Sequence, residues 1–198
     1  MTILKVNQLQ TSQRSLLRVE NNSPPEISVR TAHPEDAQQM HHVQDTSVRK
    51  LCSGDYTLEQ IEAWVGKLDP EKRRQRMVRD LEASQTGQSE REILFVAEDK
   101  LGVIVGFSSL AQNEVNAVHV HPHYTRLGVG KLLLNAVEMA ATAQNMKKLQ
   151  VDASITSVPF YQACGYQVIK HSFHTLRSDV KIPCVFMEKS LESEVKSC

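Results

Sequence analysis

The sequence predicts an α/β fold built on a mixed, mostly antiparallel sheet flanked by helices. Three observations carry that expectation. Helix-period apolar patterns crowd the first part of the chain, strand-like apolar runs crowd the rest, and one strand–loop–helix crossover at Val118–Lys131 interrupts them. Residues 1–25 are polar and end in Asn21-Asn22-Ser23-Pro24-Pro25, which reads as an extension or linker ahead of a domain at 26–198. Ile27–Arg30 alternates as a short strand. Pro34 suits a helix first turn, where Glu35 and Asp36 complement the dipole. The helix is expected to bury Ala37, Met40 and Val43, with Val48 and Leu51 continuing the stripe. Thr57-Leu58-Glu59-Gln60 fits a capping box, and Ile61, Trp64, Val65 and Leu68 supply an apolar face behind it. Asp69-Pro70-Glu71 starts a third helix carrying Lys72, Arg73, Arg74, Arg76 and Arg79, a basic run that usually marks a solvated face. Gly87 breaks that pattern.

Ile93–Ala97 and Val103–Phe107 read as a strand pair turning through Asp99-Lys100-Leu101-Gly102. The strand Val115–His121 leads into a glycine-containing loop. Leu132, Leu133, Ala136, Val137, Ala140 and Ala141 make the expected core stripe of the next helix, which Asn145 terminates. Gln150–Ala153, Gln167–Ile169 and Cys184–Met187 complete the strands. No internal repeat is visible.

The crossover is the most informative stretch. An apolar strand stops at Pro122, a polar loop follows, and Gly128 and Gly130 open a strongly helical run. Free N–H groups and the positive dipole end of such a helix can hold phosphates that approach closely over glycine. Two common phosphate motifs fail on spacing. A P-loop would put glycine at Thr125 and a hydroxyl at Leu132, and a dinucleotide fingerprint would put its third glycine at Leu133. A lone G-x-G also reads as a tight strand-to-helix turn.

Thr125-Arg126-Leu127-Gly128-Val129-Gly130 resembles the acetyl-CoA signature of the GNAT-type N-acetyltransferases, Gln/Arg-x-x-Gly-x-Gly/Ala between a central strand and a helix. Val151-Asp152-Ala153-Ser154 followed by Val158-Pro159-Phe160-Tyr161-Gln162-Ala163-Cys164-Gly165-Tyr166 is similar to the family's later strand, helix and turn. Ser47–Cys52 and Tyr56 through Trp64 resemble a subgroup of uncharacterised bacterial-type members. The resemblance runs from about Ile27 to Leu191, with one departure: Thr125 stands at the first signature position, and Arg126 is adjacent. It implies a GNAT-like sheet with a splayed V, acetyl-CoA as co-substrate, and transfer of the acetyl group to a primary amine by direct attack in a ternary complex.

Composition agrees. The chain has 198 residues, enough for one well-buried core, and Lys plus Arg balance Asp plus Glu at 23 each, so nucleic acid is not an expected partner. Cys52, Cys164, Cys184 and Cys198 form no framework spacing, which suits reduced thiols in a cytoplasmic protein. No apolar run has membrane-span length. The oligomeric state, a homodimer included, stays open.

An alkyl amine has a pKa near ~10, so attack on a thioester needs a base, a donor to the oxyanion and a hydrogen bond for the departing sulfur. By resemblance, backbone at Val118, His119 and Val120 meets the oxyanion and pantetheine. The pyrophosphate meets N–H groups from Arg126 to Lys131, and a bulge frees the strand edge. Tyr161 occupies the family's general-acid position; without the resemblance it reads as a tyrosine packed in a helix turn. Glu114 and His119 are the candidate bases, on opposite faces by simple alternation; Glu114 reads equally as an exposed turn residue, and His119 reads first as a hydrogen-bonded strand histidine. Ser154 reads either as a pantetheine contact or as a helix N-cap. His119, His121 and His123 invite a metal reading, but Pro122 breaks the strand and no further ligand completes the set, so no metal is expected. Cys164 lacks an activating base and reads as a packed thiol. The acceptor side, by resemblance, is walled by Val43–Leu68, which offers Tyr56 and Trp64 beside Asp45, Asp55 and Glu59, carboxylates that ordinarily mark solvated helix surface. The rival from another class is a non-catalytic acyl-CoA-binding or sensing module; a nucleotide-binding domain is a third, weaker reading.

Overall fold

Seven strands, β1 (Ile27–Thr31), β2 (Ile93–Asp99), β3 (Ile104–Ala111), β4 (Glu114–Val120), β5 (Lys148–Ser154), β6 (Gln167–Thr175) and β7 (Lys181–Ser190), share one sheet. Their order is β1-β2-β3-β4-β5-β7-β6 in the computed structural model, which describes residues 26–66, 68–85, 92–176 and 179–192. Every neighbouring pair is antiparallel except β4 and β5, which run parallel across the one crossover. The expected mixed, mostly antiparallel sheet is therefore present. The extension at 1–25 and the break at Gly87 lie outside the described residues.

Among the described residues five α-helices clothe the sheet: α1 (Ala37–Leu51), α2 (Leu58–Val65), α3 (Pro70–Gln85), α4 (Val129–Ala143) and α5 (Val158–Ala163). Alternation along the strands divides the core into two sides. On one, Val96, Phe107 and Ile104 meet Met40, Val43 and Met77, while Ile182 meets Val48, Ile61 and Val65. On the other, Val115, Val151 and Met187 meet Leu134, Val137 and Tyr161. The capping box forms as expected: Gln60 N–H donates to Thr57 Oγ1 at 3.2 Å and Thr57 N–H to Gln60 Oε1 at 3.0 Å.

Three sequence expectations are corrected. Leu51 is 38% exposed, and Cys52, one residue on, is buried in its place. Leu132 is 42% exposed, whereas Leu134 is buried. Because α4 begins at Val129, its inward line runs Val129, Leu133, Val137 and Ala141 at four-residue spacing, with Leu134 beside it. Arg73 does not belong to a solvated face: its guanidinium lies 5.0 Å over the Phe107 ring, donates to Gln44, and is held below its ordinary pKa by burial.

Candidate active site

β4 lies in the middle of the sheet, yet every residue from Asn116 to Val120 is at least partly exposed. The cause is local. Opposite β3, Leu110 pairs with Val115 and Ser109 with Ala117, so Asn116 is an extra, bulged residue. A bulge bends its strand and breaks the ladder. Correspondingly, β4 meets β5 at a single register pair, Glu114 with Gln150, and Gln150 N–H donates to Asn113 O at 3.0 Å. Beyond that point the strands part. The β5-facing edge of Val118, His119 and Val120 is left without a strand partner, which makes it a ready acceptor and donor row for an extended ligand.

The bulge also resets the alternation. Val115, Val118 and Val120 pack toward α4, whereas Ala117 and His119 pack toward α1. Glu114 faces the α2 side, lining a cavity with Trp64. Glu114 and His119 are thus on the same face of the sheet, against the simple period-2 expectation. They do not meet there. The ring of His119 lies 5.1 Å from that of Phe107, its Nδ1 is 3.1 Å from Ser47 Oγ, and Ser47 donates onward to Gln44 O at 3.0 Å. Burial, then the charge of Arg73, pushes its pKa down to about 3. An imidazole so weakly basic stays neutral at physiological pH.

At the far end of β4 the chain turns through Pro122–Tyr124, then Arg126 (φ 64°) and Gly128 (φ 84°) adopt left-handed backbone before α4 starts. Thr125 Oγ1 donates to Pro122 O at 2.9 Å, so its hydroxyl closes the turn. Tyr124 Oη donates to Asp99 Oδ2 at 3.1 Å and ties the loop to the β2–β3 turn. The first bond of α4 is Leu132 N–H to Gly128 O at 3.0 Å, which leaves Val129, Gly130 and Lys131 N–H groups ahead of the ladder. Open space lies over Gly128, while a Cβ on Gly130 would sit 3.2 Å from the Phe160 ring. One glycine supplies the backbone conformation, the other the close approach of α4 to α5.

The cavity beside the strand split measures about 280 Å³ and is lined by Trp64, Glu114, Asp152, Ser154, His174 and Cys184, among others. Burial, then the negative charge of Asp152, raises Glu114 above the ordinary glutamate range, with His174 opposing. Ser154 donates to Ser157 Oγ at 2.8 Å, at the start of the turn that leads to α5. Trp64 is held there by Tyr56, whose ring meets it edge-on at 5.6 Å. Tyr56 Oη donates to Pro183 O and accepts from Ile155 N–H, both at 2.8 Å. Of the carboxylates on α1, α2 and their connection, Asp45 pairs with Arg49 at 2.8 Å and Asp55 accepts from Thr156 at 2.5 Å, while Glu59 is exposed, as ordinary surface would have it. Asp152 was missed. The alternation Leu149, Val151, Ala153 against Gln150, Asp152, Ser154 carried the signal, a carboxylate on the second face of an internal strand.

Tyr161 is 4% exposed, wedged between the Phe160 and Tyr166 rings at 5.1 and 5.3 Å. Its hydroxyl makes no hydrogen bond among the described residues, and burial raises its pKa further above the ordinary phenol value. The three histidines do not converge on one point: the His121 ring meets His123 edge-on at 5.0 Å and lies 5.8 Å from His42, while His119 turns toward Ser47 and Phe107. Among the described residues no helix is long and apolar enough to cross a membrane.

Residues 52–191 match the acetyltransferase (GNAT) domain family. The chain is 28% identical over 144 residues to YafP, an uncharacterised N-acetyltransferase of Escherichia coli (strain K12), covering 73% of this chain and 83% of that protein. Its fold is similar to a GCN5-related N-acetyltransferase of Rhodopseudomonas palustris, with a TM-score of 0.70, 30% identity, and coverage of 85% and 96% of the two chains. It is also similar to the PaiA N-acetyltransferase of Thermoplasma acidophilum solved with coenzyme A, at a TM-score of 0.65, 22% identity, and coverage of 83% and 99%. A parted β4–β5 pair, a glycine-led helix start and a family match across most of the chain lead to one conclusion: this protein belongs to the GNAT acetyltransferase family and is an acyltransferase.

Proposed function

We propose that the protein transfers an acetyl group from acetyl-CoA to a primary amine by direct attack. The parting of β4 from β5 at the Asn116 bulge is the observation that carries this reading. It leaves a free backbone edge of the right polarity between a phosphate-binding helix start and a carboxylate-lined cavity. These features suit acetyl-CoA: the N–H groups from Arg126 to Lys131 meet the pyrophosphate, with the Arg126 charge beside them. The Val118–Val120 edge runs along the pantetheine, and its N–H groups face the carbonyl oxygen as charge builds there. Ser154, at the end of β5, borders the same split.

Bound acetyl-CoA supplies an activated carbonyl and a thiol leaving group. Glu114 is the base: its raised pKa and cavity position suit it to take a proton from an incoming ammonium, where His119 is too weakly basic. Tyr161 is the hydrogen-bond donor to the departing sulfur, its phenol kept protonated by burial. Overall one C–N bond forms as one C–S bond breaks, sulfur leaves with a proton, and one further proton passes to solvent. A covalent acyl-enzyme is disfavoured, because burial raises the thiols of Cys164 and Cys184 above their ordinary range and depletes thiolate.

Calorimetric titration with acetyl-CoA, using ATP and NAD as controls, followed by an amine-dependent free-thiol assay, tests the reading. Binding of acetyl-CoA with thiol release on adding a primary amine is expected. No binding by folded protein overturns the reading. Binding without release for any amine favours a non-catalytic acyl-CoA module instead.

A further inference from the structure

Glu114 on β4 and Asp152 on β5 both line the cavity beside the strand split, and no lysine or arginine stands among its described lining residues. Neither carboxylate has an ion-pair partner among the described residues. Glu114 is opposite Gln150, and Asp152 lies two residues further along the same face of β5. With strands ~4.8 Å apart and a rise of ~3.3 Å per residue, their Cα atoms stand about 8 Å apart, and more as the strands diverge. A lone ammonium would draw both side chains together. Two ammonium groups joined by a short alkyl chain would meet one carboxylate each.

The rest of the wall fits that shape. Trp64 offers an aromatic surface to a cation, and Leu176 and Ile182 offer apolar surface to methylenes. Burial first and the charge of Asp152 second raise Glu114, with His174 opposing, and a positive charge in the cavity relieves the repulsion between the two carboxylates. At about 280 Å³ the space lies just below the ordinary range for drug-sized ligands, so the occupant is small.

We propose that the acceptor is a short α,ω-diamine, or another small amine with a second cationic centre, in which Asp152 holds the charge that stays while Glu114 faces the nitrogen that reacts. This rests on the acetyltransferase reading above, and the test separates the two.

Trp64 is the sole tryptophan of the chain, so its fluorescence reports on the cavity without any turnover. The CoA-bound protein is titrated with 1,4-diaminobutane and with butylamine at neutral pH and about 0.15 M salt. The diamine should bind at least about tenfold more tightly. Asp152→Asn should collapse that ratio to about unity, and Asp152→Glu should restore most of it, which excludes general loss of structure. Equal affinities in the parent, or a ratio unmoved by Asp152→Asn, overturn the proposal. Free-thiol release is followed in parallel. Release with monoamines and no diamine preference sinks the proposal and leaves the transferase standing. Diamine-selective binding with no release for any amine sinks the transferase and leaves the binding site.

Discussion

Glu114 sits where β4 last touches β5, half-buried and facing Asp152, His174 and Cys184 across the cavity. Its raised pKa has two consequences of fixed sign. As a base it is lost when pH falls through that value, so kcat/KM for a given amine should show an acid limb above the usual glutamate range. Glu114→Gln should remove that limb and lower kcat by about a hundredfold, the usual scale for a positioned base. For stability, a raised carboxyl pKa means the folded state prefers the protonated form. Ionised Glu114 therefore weakens the fold above its pKa, and Glu114→Gln should raise the unfolding free energy read from urea denaturation at neutral pH by a small amount, under about 1 kcal/mol after solvent screening. The gain should vanish in acid. Tyr161 is a different kind of residue: almost fully buried, its ring belongs to the core and its hydroxyl has no hydrogen-bond partner among the described residues. Tyr161→Phe keeps the ring, so acetyl-CoA affinity should persist by calorimetry while kcat drops about tenfold to a hundredfold. Loss of affinity and turnover together would assign Tyr161 to packing.

In the proposed reading the pyrophosphate meets a few backbone groups at the start of α4, and Gly128 is the position that shapes them. Its φ of 84° lies where an L side chain is strained, and open space lies where its side chain would stand. Gly128→Ala should cost roughly 1 kcal/mol of stability through that strain. It should also weaken acetyl-CoA binding at least about tenfold by calorimetry, because the added methyl fills the approach. Thr125 serves the same element locally, closing the turn by its bond to Pro122 O, a task separate from the charge or amide that Gln or Arg would bring. The bulge in β4 is the other decisive element. Without Asn116 as an extra residue, β4 would keep register with β3 on one side and could continue along β5 on the other.

Across the whole molecule, polar ties hold the helical side to the sheet. Arg30 reaches Asp36 through two bonds of 2.7 and 3.0 Å and Glu98 through one of 2.9 Å, while His33 N–H donates to Asp36 at 2.8 Å. This joins β1, β2 and the turn that opens α1. Burial alone would raise the Asp36 carboxyl; the Arg30 bonds and the His33 N–H outweigh it and hold the group below its ordinary value. A lowered folded pKa adds stability that is complete above the unfolded value and fades as pH falls through the folded one. Asp36→Asn should therefore cost about 2–3 kcal/mol at neutral pH in urea denaturation, with the difference shrinking in acid below about pH 4. Tyr56 plays the matching part at the other end, joining the α1–α2 connection to β7 and to the turn after β5, and so fixing Trp64 over the cavity.

Periodicity and turn chemistry are local, so the sequence by itself determined the Thr57 capping box, the Asp99–Gly102 turn, the helix start at Gly128 and the mixed sheet around one crossover. The resemblance carried by Thr125–Gly130 and Pro159–Tyr166 reached the family. What escaped was set by pairing between distant segments. Leu132 and Leu134 are both plausible core residues until the start of α4 sets the phase of its inward face. A basic run reads as solvated until one member, Arg73, finds Phe107 beneath it. Simple alternation separated Glu114 from His119, because a bulge appears only when β4 is laid against β3. Asp152 lies 38 residues beyond Glu114 in the chain, and only the parallel pairing of β4 with β5 brings both to one cavity. Local preference acts over a few residues, whereas the site is built from strands whose register is decided by the assembled sheet.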